Sequence, residues 1–289
     1  MDLQEDHPNR LIRILNKIAR LYLNDFCYEL TLLIRWHKSY RLLNPKTFSE
    51  KLCWLKLFKR DLSYKNLVDK ITVKKFIESK IGKKYLVKTL GIWKNIDMVN
   101  WEKLPNQFVI KTNHASGAVF VVRDKNKDVN QDLIDNINSW LSQDYVVISR
   151  EYLYKGIERK ILIEELLLDE HDELPKDYKI YCFNGEPKFI HVDVDRFINH
   201  KRAIFSLDWE KLPFTIRHEN YDGDLPRPKN LNEMINIAKK LSDGLPFVRV
   251  DLFNTGKIYF GELTIFPGSG IEQFRPKRYD EVFGKMLKI

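Results

Sequence analysis

The sequence predicts an α+β fold built mainly on antiparallel sheets, with a helical N-terminal region. Three observations support this class. Up to about residue 100, apolar side chains recur at three- and four-residue steps. From about 105, short runs rich in β-branched and aromatic residues replace them. Turn signals join several of these runs directly, whereas parallel strands would need a helix or another long crossover between them.

The composition is that of a folded, basic chain. Its 289 residues are 44% hydrophobic and 12% aromatic, enough for a sizeable core, and the formal net charge is +9. The three cysteines, Cys27, Cys53 and Cys182, are odd in number and far apart, which argues against a disulfide framework or a metal cluster. The sequence has neither an apolar run of about 18 residues nor a secretory signal. We expect a cytoplasmic protein without a nucleic-acid partner.

The first 43 residues are predicted to form a basic amphipathic helical extension. Residues 1–60 hold 12 Lys and Arg against 6 Asp and Glu, and the periodicity predicts a helix over about 10–36. Such a helix can lie at the inner membrane face or on a polyanion. It can equally dock on the core of the protein, and periodicity does not distinguish the two.

Residues 44–104 are predicted to be helical with a small α/β part. Asn44-Pro45 interrupts the first helix, and Thr47 to Glu50 has the capping-box spacing that starts another. A further helix is predicted at about 66–80, ending at Gly82, followed by a strand at 85–87 that leads into Gly91-Ile-Trp93.

The remaining chain predicts strands separated by two helices, at about 130–142 and 230–242. Asn184-Gly185 is typical of a type I′ hairpin turn, and Thr255-Gly256 is a weaker turn signal. The strand-forming runs are 108–110, 119–122, 161–163, 178–183, 188–192, 203–205, 247–250 and 257–260.

A first candidate site lies in the predicted hairpin around Lys111. A strand ends at this lysine, and the connection to the next strand contains His114, Ser116 and Gly117. Backbone N–H groups of a loop with small residues can approach phosphate oxygens, and Lys111 would add a positive charge. An ordinary hairpin with a solvated lysine is the alternative. The loop lacks the pattern of a P-loop or a dinucleotide fingerprint.

A second candidate site lies in the hairpin that follows Phe247. With a two-residue turn at Thr255-Gly256, Asp251 pairs with Phe260 and Arg249 with Glu262. Arg249, Asp251, Glu262 and Thr264 would then share one face, with the two acids as diagonal neighbours able to hold Mg²⁺. A three-residue turn would place the acids on opposite faces and remove the site. An edge hairpin with an Arg–Glu pair is the alternative.

The order of these features resembles the ATP-grasp fold. Six phrases resemble its TupA-like family, associated with teichuronopeptide and surface-polysaccharide biosynthesis. The resemblance covers about residues 44–285, and it implies a small lobe at 105–166 and a large lobe at 167–289. The phrases begin at Asn44, Leu67, Leu104, Asp177, Asp208 and Pro246.

The resemblance also implies roles for individual residues and the cofactors ATP and Mg²⁺. Lys70 and Lys111 would bind ATP, the latter beneath the loop with His114, Ser116 and Gly117. The remaining assignments are Glu164, Glu165 and Leu166 at the adenine hinge, Asp251 and Glu262 as metal ligands, and Arg249 facing the transferred phosphoryl group. Thr264 stands where many such enzymes have Asn, so its role as a third ligand stays open, as does the division of labour between the two glutamates.

Two further residue types have simpler interpretations. His191, Asp193 and Asp195 alternate on one strand face and resemble a metal trio, but a solvated face is the preferred interpretation. Cys182 lies within a strand with no base nearby in sequence, so we expect a buried structural thiol. His114 can contact phosphate or only shape its loop.

The resemblance implies a carboxylate–amine ligase that forms an amide through an acyl phosphate. Its carboxylate would come from a uronic acid of a surface polysaccharide or of a nucleotide-sugar precursor, and its amine from a small amino compound. The alternative is a glycosyltransferase, supported by the Asp193-Val-Asp195 motif. No alternating parallel nucleotide-sugar fold precedes that motif.

Overall fold

The computed structural model describes residues 43–194 and 201–289. The helix predicted at about 10–36 lies outside these residues, as does Asp195. Two antiparallel sheets dominate the described chain: a four-stranded sheet in the order β1-β4-β2-β3 and a five-stranded sheet in the order β10-β9-β5-β6-β7. The expected α+β class with antiparallel sheets is confirmed.

The strands and helices are numbered in chain order. The strands are β1 Thr89–Trp93, β2 Phe108–Thr112, β3 Val119–Val122, β4 Ile161–Glu165, β5 Asp177–Phe183, β6 Glu186–Val194, β7 Lys201–Phe205, β8 Thr215–Ile216, β9 Phe247–Asn254, β10 Ile258–Thr264 and β11 Phe274–Arg275. The helices are α1 Phe48–Trp54, α2 Lys65–Val68, α3 Val73–Ile81, α4 Lys125–Asp128, α5 Gln131–Ser142, α6 Tyr145–Ser149, α7 Leu231–Ser242 and α8 Arg278–Met286.

Local signals place the first helices well. Thr47 caps α1 in a capping box with Glu50, as its spacing predicts. The helix expected at 66–80 is instead split into α2 and α3, because Asp69 adopts extended backbone angles and its Oδ1 accepts a hydrogen bond from the backbone N–H of Ile71. The second helix ends at Gly82, which has a φ of 101°.

The prediction of a strand at 85–87 was wrong. Residues Lys83–Tyr85 form a 3₁₀ turn, and the strand begins only at Thr89. Strand β1 pairs with β4, so it joins the four-stranded sheet. Helix α5 covers one face of that sheet, where Leu133 and Ile137 pack in a hydrophobic cluster with Phe108 and Ile163.

The five-stranded sheet has one apolar face and one mixed face. Tyr178, Ile180 and Cys182 of β5 alternate with Asp177, Lys179, Tyr181 and Phe183. Helix α7 packs against β5, β6 and β9 on the Cys182 side, where the thiol contacts the carbonyl of Ala238. The opposite face carries charged residues at one end and an aromatic cluster of Phe48, Phe183 and Phe247 at the other.

The predicted hairpin at Asn184-Gly185 is confirmed. Phe183 pairs with Glu186, which leaves a two-residue connection with φ values of 49° and 81°. Cys182 is fully buried, and burial raises the pKa of its thiol to about 12, in keeping with a structural role. Among the helices of the described chain, none is long and apolar enough to cross a membrane.

Candidate active site

A cleft of about 500 Å³ lies between the two sheets. Its apolar lining comes from β2, β3, the end of β4 and Phe253 of β9. Charged residues from both sheets lie at its edges. The lining residues include Val87, Val109, Lys111, Val121, Glu165, Leu166, Leu167, Asp177, Asp193 and Phe253. An apolar slot bordered by charges suits a flat heterocycle that carries phosphates.

Lys70 lies in the connection between α2 and α3 and not on an exposed helix face. Its backbone N–H donates to the carbonyl of Asn113, and its ammonium donates to the carbonyl of Ala115 at 2.5 Å. The Asn113 amide donates to Asp69 at 3.0 Å, so this connection is tied to the end of β2. Burial lowers the pKa of Lys70, while Glu262 opposes that shift.

The two glutamates at the end of β4 have different environments. Glu164 is buried and forms ion pairs with Lys74 and with Lys111, the latter at 2.5 Å. Burial opposes its ionisation, but the two lysines outweigh burial and lower its pKa. Glu165 is exposed and lines the cleft beside Leu166. Strand pairing places Glu164 opposite Val109, on the cleft face of the sheet that also carries Lys111. Both glutamates line the cleft, Glu164 as the partner of the lysines and Glu165 at the exposed end of the strand.

The loop after Lys111 brings its three candidate residues into different positions. Ser116 and Gly117 are exposed at the tip, where Gly117 has a φ of 78°, and the Tyr145 hydroxyl lies close to Ser116. His114 is buried beside the carbonyl groups that end α5, and burial lowers the pKa of its ring. The structure thus separates His114 from the tip of the loop.

The register of the β9–β10 hairpin differs from the prediction. Asn254 pairs with Ile258, so the connection has three residues and not two. A bulge between Phe260 and Glu262 then adds a residue to β10, and Glu262 pairs directly with Asp251. The expectation that a three-residue turn removes the site was therefore wrong. The longer turn alone would put Asp251 and Glu262 on opposite faces, and the bulge returns them to the same face.

Gly261 is the extra residue in this bulge. A Cβ at this position would lie 3.0 Å from the carbonyl oxygen of Asp251 and 3.2 Å from the Phe253 ring. The close approach of the two strands therefore favours glycine here. A single glycine in β10 was the sequence signal for the bulge.

Arg249 contacts the other three predicted residues of this hairpin. Arg249 makes a bidentate pair with Asp251 at 2.7 and 2.6 Å, and it also reaches Glu262 at 3.3 Å. The Thr264 hydroxyl accepts from Arg249 at 3.0 Å and donates to Glu262 at 3.3 Å. Burial raises the pKa of Asp251. Burial also opposes ionisation of Glu262, but Lys70 and Arg249 outweigh it and lower its pKa to about 2.

Lys179 is a site residue that the sequence analysis did not single out. Its ammonium pairs with Asp177, with Asp251 at 3.2 Å and with Asp193 at 3.4 Å. Burial lowers the pKa of Lys179, yet these carboxylates outweigh burial and raise it. Its alternation with Asp177 on a strand that pairs with β9 was the available signal.

The strand face with His191 is buried, contrary to the solvated face expected. His191 Nε2 lies 2.7 Å from Asp193, whose Oδ1 also accepts from Arg202 at 3.0 Å. Burial lowers the pKa of His191 to about 3, so the ring is neutral and donates to Asp193. No group of three or more potential metal-binding side chains occurs within residues 43–194 and 201–289.

The donor set suits Mg²⁺ bound to phosphates better than a metal held by protein alone. Asp251 and Glu262 offer two carboxylates, and Mg²⁺ commonly takes one or two from the protein and completes its shell with phosphate and water. Lys70 and Lys111 lie together beside Phe260 and Gly261 of β10, next to Glu262, where phosphate oxygens would need positive charge.

The chain is similar to known proteins in family and in fold. The family model described as TupA-like ATPgrasp matches residues 50–288. None of the curated proteins matches the chain in sequence.

Solved structures with a similar fold include D-alanine–D-alanine ligase from Bacillus anthracis complexed with ATP. It is 18% identical with a TM-score of 0.40, and the match covers 72% of this chain and 57% of that one. An ADP complex of N5-carboxyaminoimidazole ribonucleotide synthetase is 15% identical with a TM-score of 0.43, covering 75% of this chain and 50% of that one. The chain therefore spans little more than half the length of these proteins.

Proposed function

The chain belongs to the TupA-like ATP-grasp family, and from this premise we propose that it is an ATP-dependent carboxylate–amine ligase. One observation carries the proposal. Asp251 and Glu262 are paired across β9 and β10, and both contact Arg249. Lys70 and Lys111 line a small pocket together with Phe260 and Gly261, which directly precede Glu262 in β10. Paired carboxylates near lysines are suited to a nucleotide triphosphate and its metal.

In this proposal, the nucleotide base occupies the apolar part of the cleft beside Glu165, Leu166 and Phe253. The loop with Ser116 and Gly117 covers the phosphates, and Lys70 and Lys111 neutralise them. His114 shapes that loop from beneath. These residues position the γ-phosphate toward the carboxylates of β9 and β10.

Asp251 and Glu262 would hold Mg²⁺, with Thr264 as a further oxygen donor. The bound metal supplies charge neutralisation to the phosphate oxygens. Arg249 faces the transferred phosphoryl group and stabilises the negative charge that develops on it. A substrate carboxylate is phosphorylated, and an amine then displaces phosphate from the acyl phosphate to give an amide.

We further propose that the carboxylate belongs to a uronic acid of a surface polysaccharide or of its nucleotide-sugar precursor. The resemblance of phrases such as 177–185 and 208–214 to the TupA-like family supports this substrate class. The amine would be an amino acid or another small amino compound.

Phosphate release by the purified full chain tests the ligation. With Mg²⁺ and ATP, release should require both a uronic acid and an amine, because neither half of the reaction is complete alone. Release that is independent of both additions would contradict ligation.

A glycosyltransferase is the competing function, and the surroundings of Asp193 count against it. Its carboxylate contacts Lys179, His191 and Arg202 and is not poised to hold the metal of a nucleotide sugar. Thermal-shift titration separates the two functions. ATP with Mg²⁺ should raise the melting temperature, whereas stabilisation by a UDP-sugar with a divalent metal alone would favour the transferase.

The basic N-terminal region leads to a separate proposal, that residues 10–36 bring the enzyme to an anionic membrane surface or a polyanionic acceptor. The excess of Lys and Arg in residues 1–60 supports it. Deletion of residues 1–40 should weaken binding to anionic liposomes while ATP binding persists. Loss of soluble expression would favour docking on the core instead.

A further inference from the structure

Glu272 is a further buried carboxylate, separate from the proposed metal-binding pair Asp251 and Glu262. Glu272 is 5% exposed and follows the turn Pro267–Gly270, which passes around its side chain. A Cβ on Gly268 would lie 3.3 Å from the Glu272 carboxyl carbon. Left-handed backbone at Gly268, Ser269 and Gly270 gives this turn its shape.

The turn is anchored on both sides. The backbone carbonyl of Glu272 accepts from the Ser49 hydroxyl at 3.2 Å, and the backbone carbonyl of Ser269 accepts from Lys56 at 2.6 Å. The Ser269 hydroxyl donates to Glu151 at 3.2 Å. Contacts made by other groups of the loop therefore hold the Glu272 side chain in place.

Backbone contacts place two arginines beside the segment that carries Glu272. The backbone N–H of Arg217 donates to the carbonyl of Gln273 at 3.0 Å, and the Arg202 guanidinium donates at 2.8 Å to the carbonyl of Ile216, which pairs with Phe274. Arg202 of β7, Arg249 of β9 and Arg217 after β8 all favour its charged form, as does the nearby Tyr181 hydroxyl of β5. Yet none of these arginines comes within ion-pair distance of Glu272 in the described residues.

A buried carboxylate without a direct ionic partner is costly, and burial raises the pKa of Glu272. Such a group suits a cation that arrives with a substrate. Two of the three arginines already have carboxylate partners, since Arg202 pairs with Asp193 and Arg249 with Asp251. Arg217 is exposed and has no ion pair in the part of the chain that the structure describes.

We propose that Glu272 binds the ammonium group of the acceptor amine and takes a proton from it, and that this amine is an amino acid whose carboxylate pairs with Arg217. The inference rests on the proposed ligation and names the amine of that same site. Arg249 connects the two halves, because it contacts the metal-binding pair and acts electrostatically on Glu272.

Glu272 accepts one proton from R–NH₃⁺, and the nitrogen lone pair forms a C–N bond to the acyl carbon. The C–O bond to phosphate breaks, and its electron pair leaves with the phosphate. The remaining surplus proton on nitrogen passes to that phosphate, and Glu272 later returns its proton to solvent.

An assay with hydroxylamine distinguishes proton removal by Glu272 from the earlier phosphorylation of the carboxylate. It is largely uncharged at neutral pH and traps an acyl phosphate as a hydroxamate without needing a base. The full chain is assayed with Mg²⁺, ATP and glucuronate, galacturonate or UDP-glucuronate, using either hydroxylamine or the standard amino acids as acceptor. Methylamine serves as an amine without a carboxylate.

Glu272→Gln should retain hydroxamate formation within about twofold and lose amide formation from amino acids by about a hundredfold or more. Its residual amide formation should rise with pH, because more of the amine is then uncharged. Glu272→Asp should recover part of the rate. Glu281→Gln, on the exposed side of α8, is the matched control and should match the wild type.

Arg217→Gln should raise KM for amino acids about tenfold and leave the reaction of methylamine unchanged. Equal loss of hydroxamate and amide in Glu272→Gln, or an unchanged amide rate, would overturn the role of Glu272. Equal effects of Arg217→Gln on both amines would overturn the amino-acid assignment. If the wild type forms no hydroxamate with any of these carboxylates, the ligation fails first and this inference with it.

Discussion

The two sides of the candidate site carry opposite charge but are organised in the same way. The lysine wall consists of Lys70, Lys74 and Lys111 with the single acid Glu164 between two of them. The carboxylate wall consists of Asp177, Asp193, Asp251 and Glu262 with Lys179 and Arg249 among them. In each wall, a residue of the less common charge is buried in contact with several residues of the opposite charge.

The shared arrangement has a physical reason. Like charges held close together in a low dielectric repel strongly, so each wall needs a counter-charge to stay folded before any ligand binds. The difference between the walls is the sign that remains in excess. The lysine wall retains positive charge suited to phosphate, and the carboxylate wall retains negative charge suited to a metal.

Loss of a carboxylate that we propose to bind the metal should have the largest effect. Glu262→Gln keeps the size and hydrogen bonding of the side chain but removes its negative charge. We expect ATP-dependent turnover to fall by a factor of at least about 10⁴. Turnover and its Mg²⁺ dependence are measured together with the circular dichroism spectrum, which should be unchanged.

Glu102→Gln, on the exposed surface beside the four-stranded sheet, is the control for this variant. Full turnover in Glu262→Gln, with the Mg²⁺ requirement intact, would remove the basis for placing the active site between these walls.

Loss of the positive charge of Lys179 from the carboxylate wall should lower the stability of the fold. Lys179→Met leaves Asp177, Asp193 and Asp251 without their shared cation, so we expect the free energy of unfolding to fall by about 3–5 kcal/mol. Urea denaturation measures it, and Lys188→Met on the exposed side of β6 is the control. A change no larger than that of the control would show that Lys179 does not hold these carboxylates.

Loss of a lysine from the opposite wall should weaken binding with less effect on the fold. Lys111→Ala removes a positive charge expected at the phosphates and leaves Asp251 and Glu262 intact. We expect Kd for ATP to rise about tenfold to a hundredfold. Calorimetric titration of ATP with Mg²⁺ measures this, with the exposed Lys103→Ala as control. Unchanged affinity would place the phosphates elsewhere.

The smallest expected effect is the contribution of the neutral His191 to the pH dependence of stability. His191 has a pKa of about 3 in the fold, whereas an unfolded histidine titrates near about 6.5. The unfolded chain therefore binds more protons, and stability is lost as pH falls below the unfolded value. Between pH 8 and about pH 5.5 this group should cost the wild type about 1.4 kcal/mol.

His191→Gln removes that contribution, so its stability should depend less on pH across this range. Denaturation at several pH values measures the difference, and His171→Gln at an exposed position is the control. Identical pH slopes for His191→Gln and the wild type would contradict a buried neutral ring.

Sequence patterns predicted the elements of both walls better than they predicted the contacts within them. The runs at 108–110, 161–163 and 247–250 became β2, β4 and β9, since period-two alternation is a local property. The sequence analysis missed the helix break at Asp69. The Asp69 carboxylate accepts hydrogen bonds from the backbone N–H of Ile71 and from the side-chain amide of Asn113, which is 44 residues away, and the second contact cannot be inferred from nearby residues. That bond helps to position Lys70.

The hairpin of β9 and β10 shows how register depends on more than the turn. Thr255-Gly256 indicated a turn, but pairing of Asn254 with Ile258 and the bulge at Gly261 together set which residues share a face. A shift of one residue moves every side chain to the other face, so two shifts of this kind restored the predicted grouping of Arg249, Asp251, Glu262 and Thr264.

The sequence by itself determined the α+β class, the strand and helix periodicities, the Asn184-Gly185 turn and the family resemblance, because each depends on residues close in the chain or on their order. The tertiary structure alone decided that Glu164 is buried between two lysines while Glu165 is exposed, that Lys179 joins three carboxylates, and that Glu272 lies buried. The physical reason is that burial and charge pairing depend on which strands meet, and distant segments supply those partners.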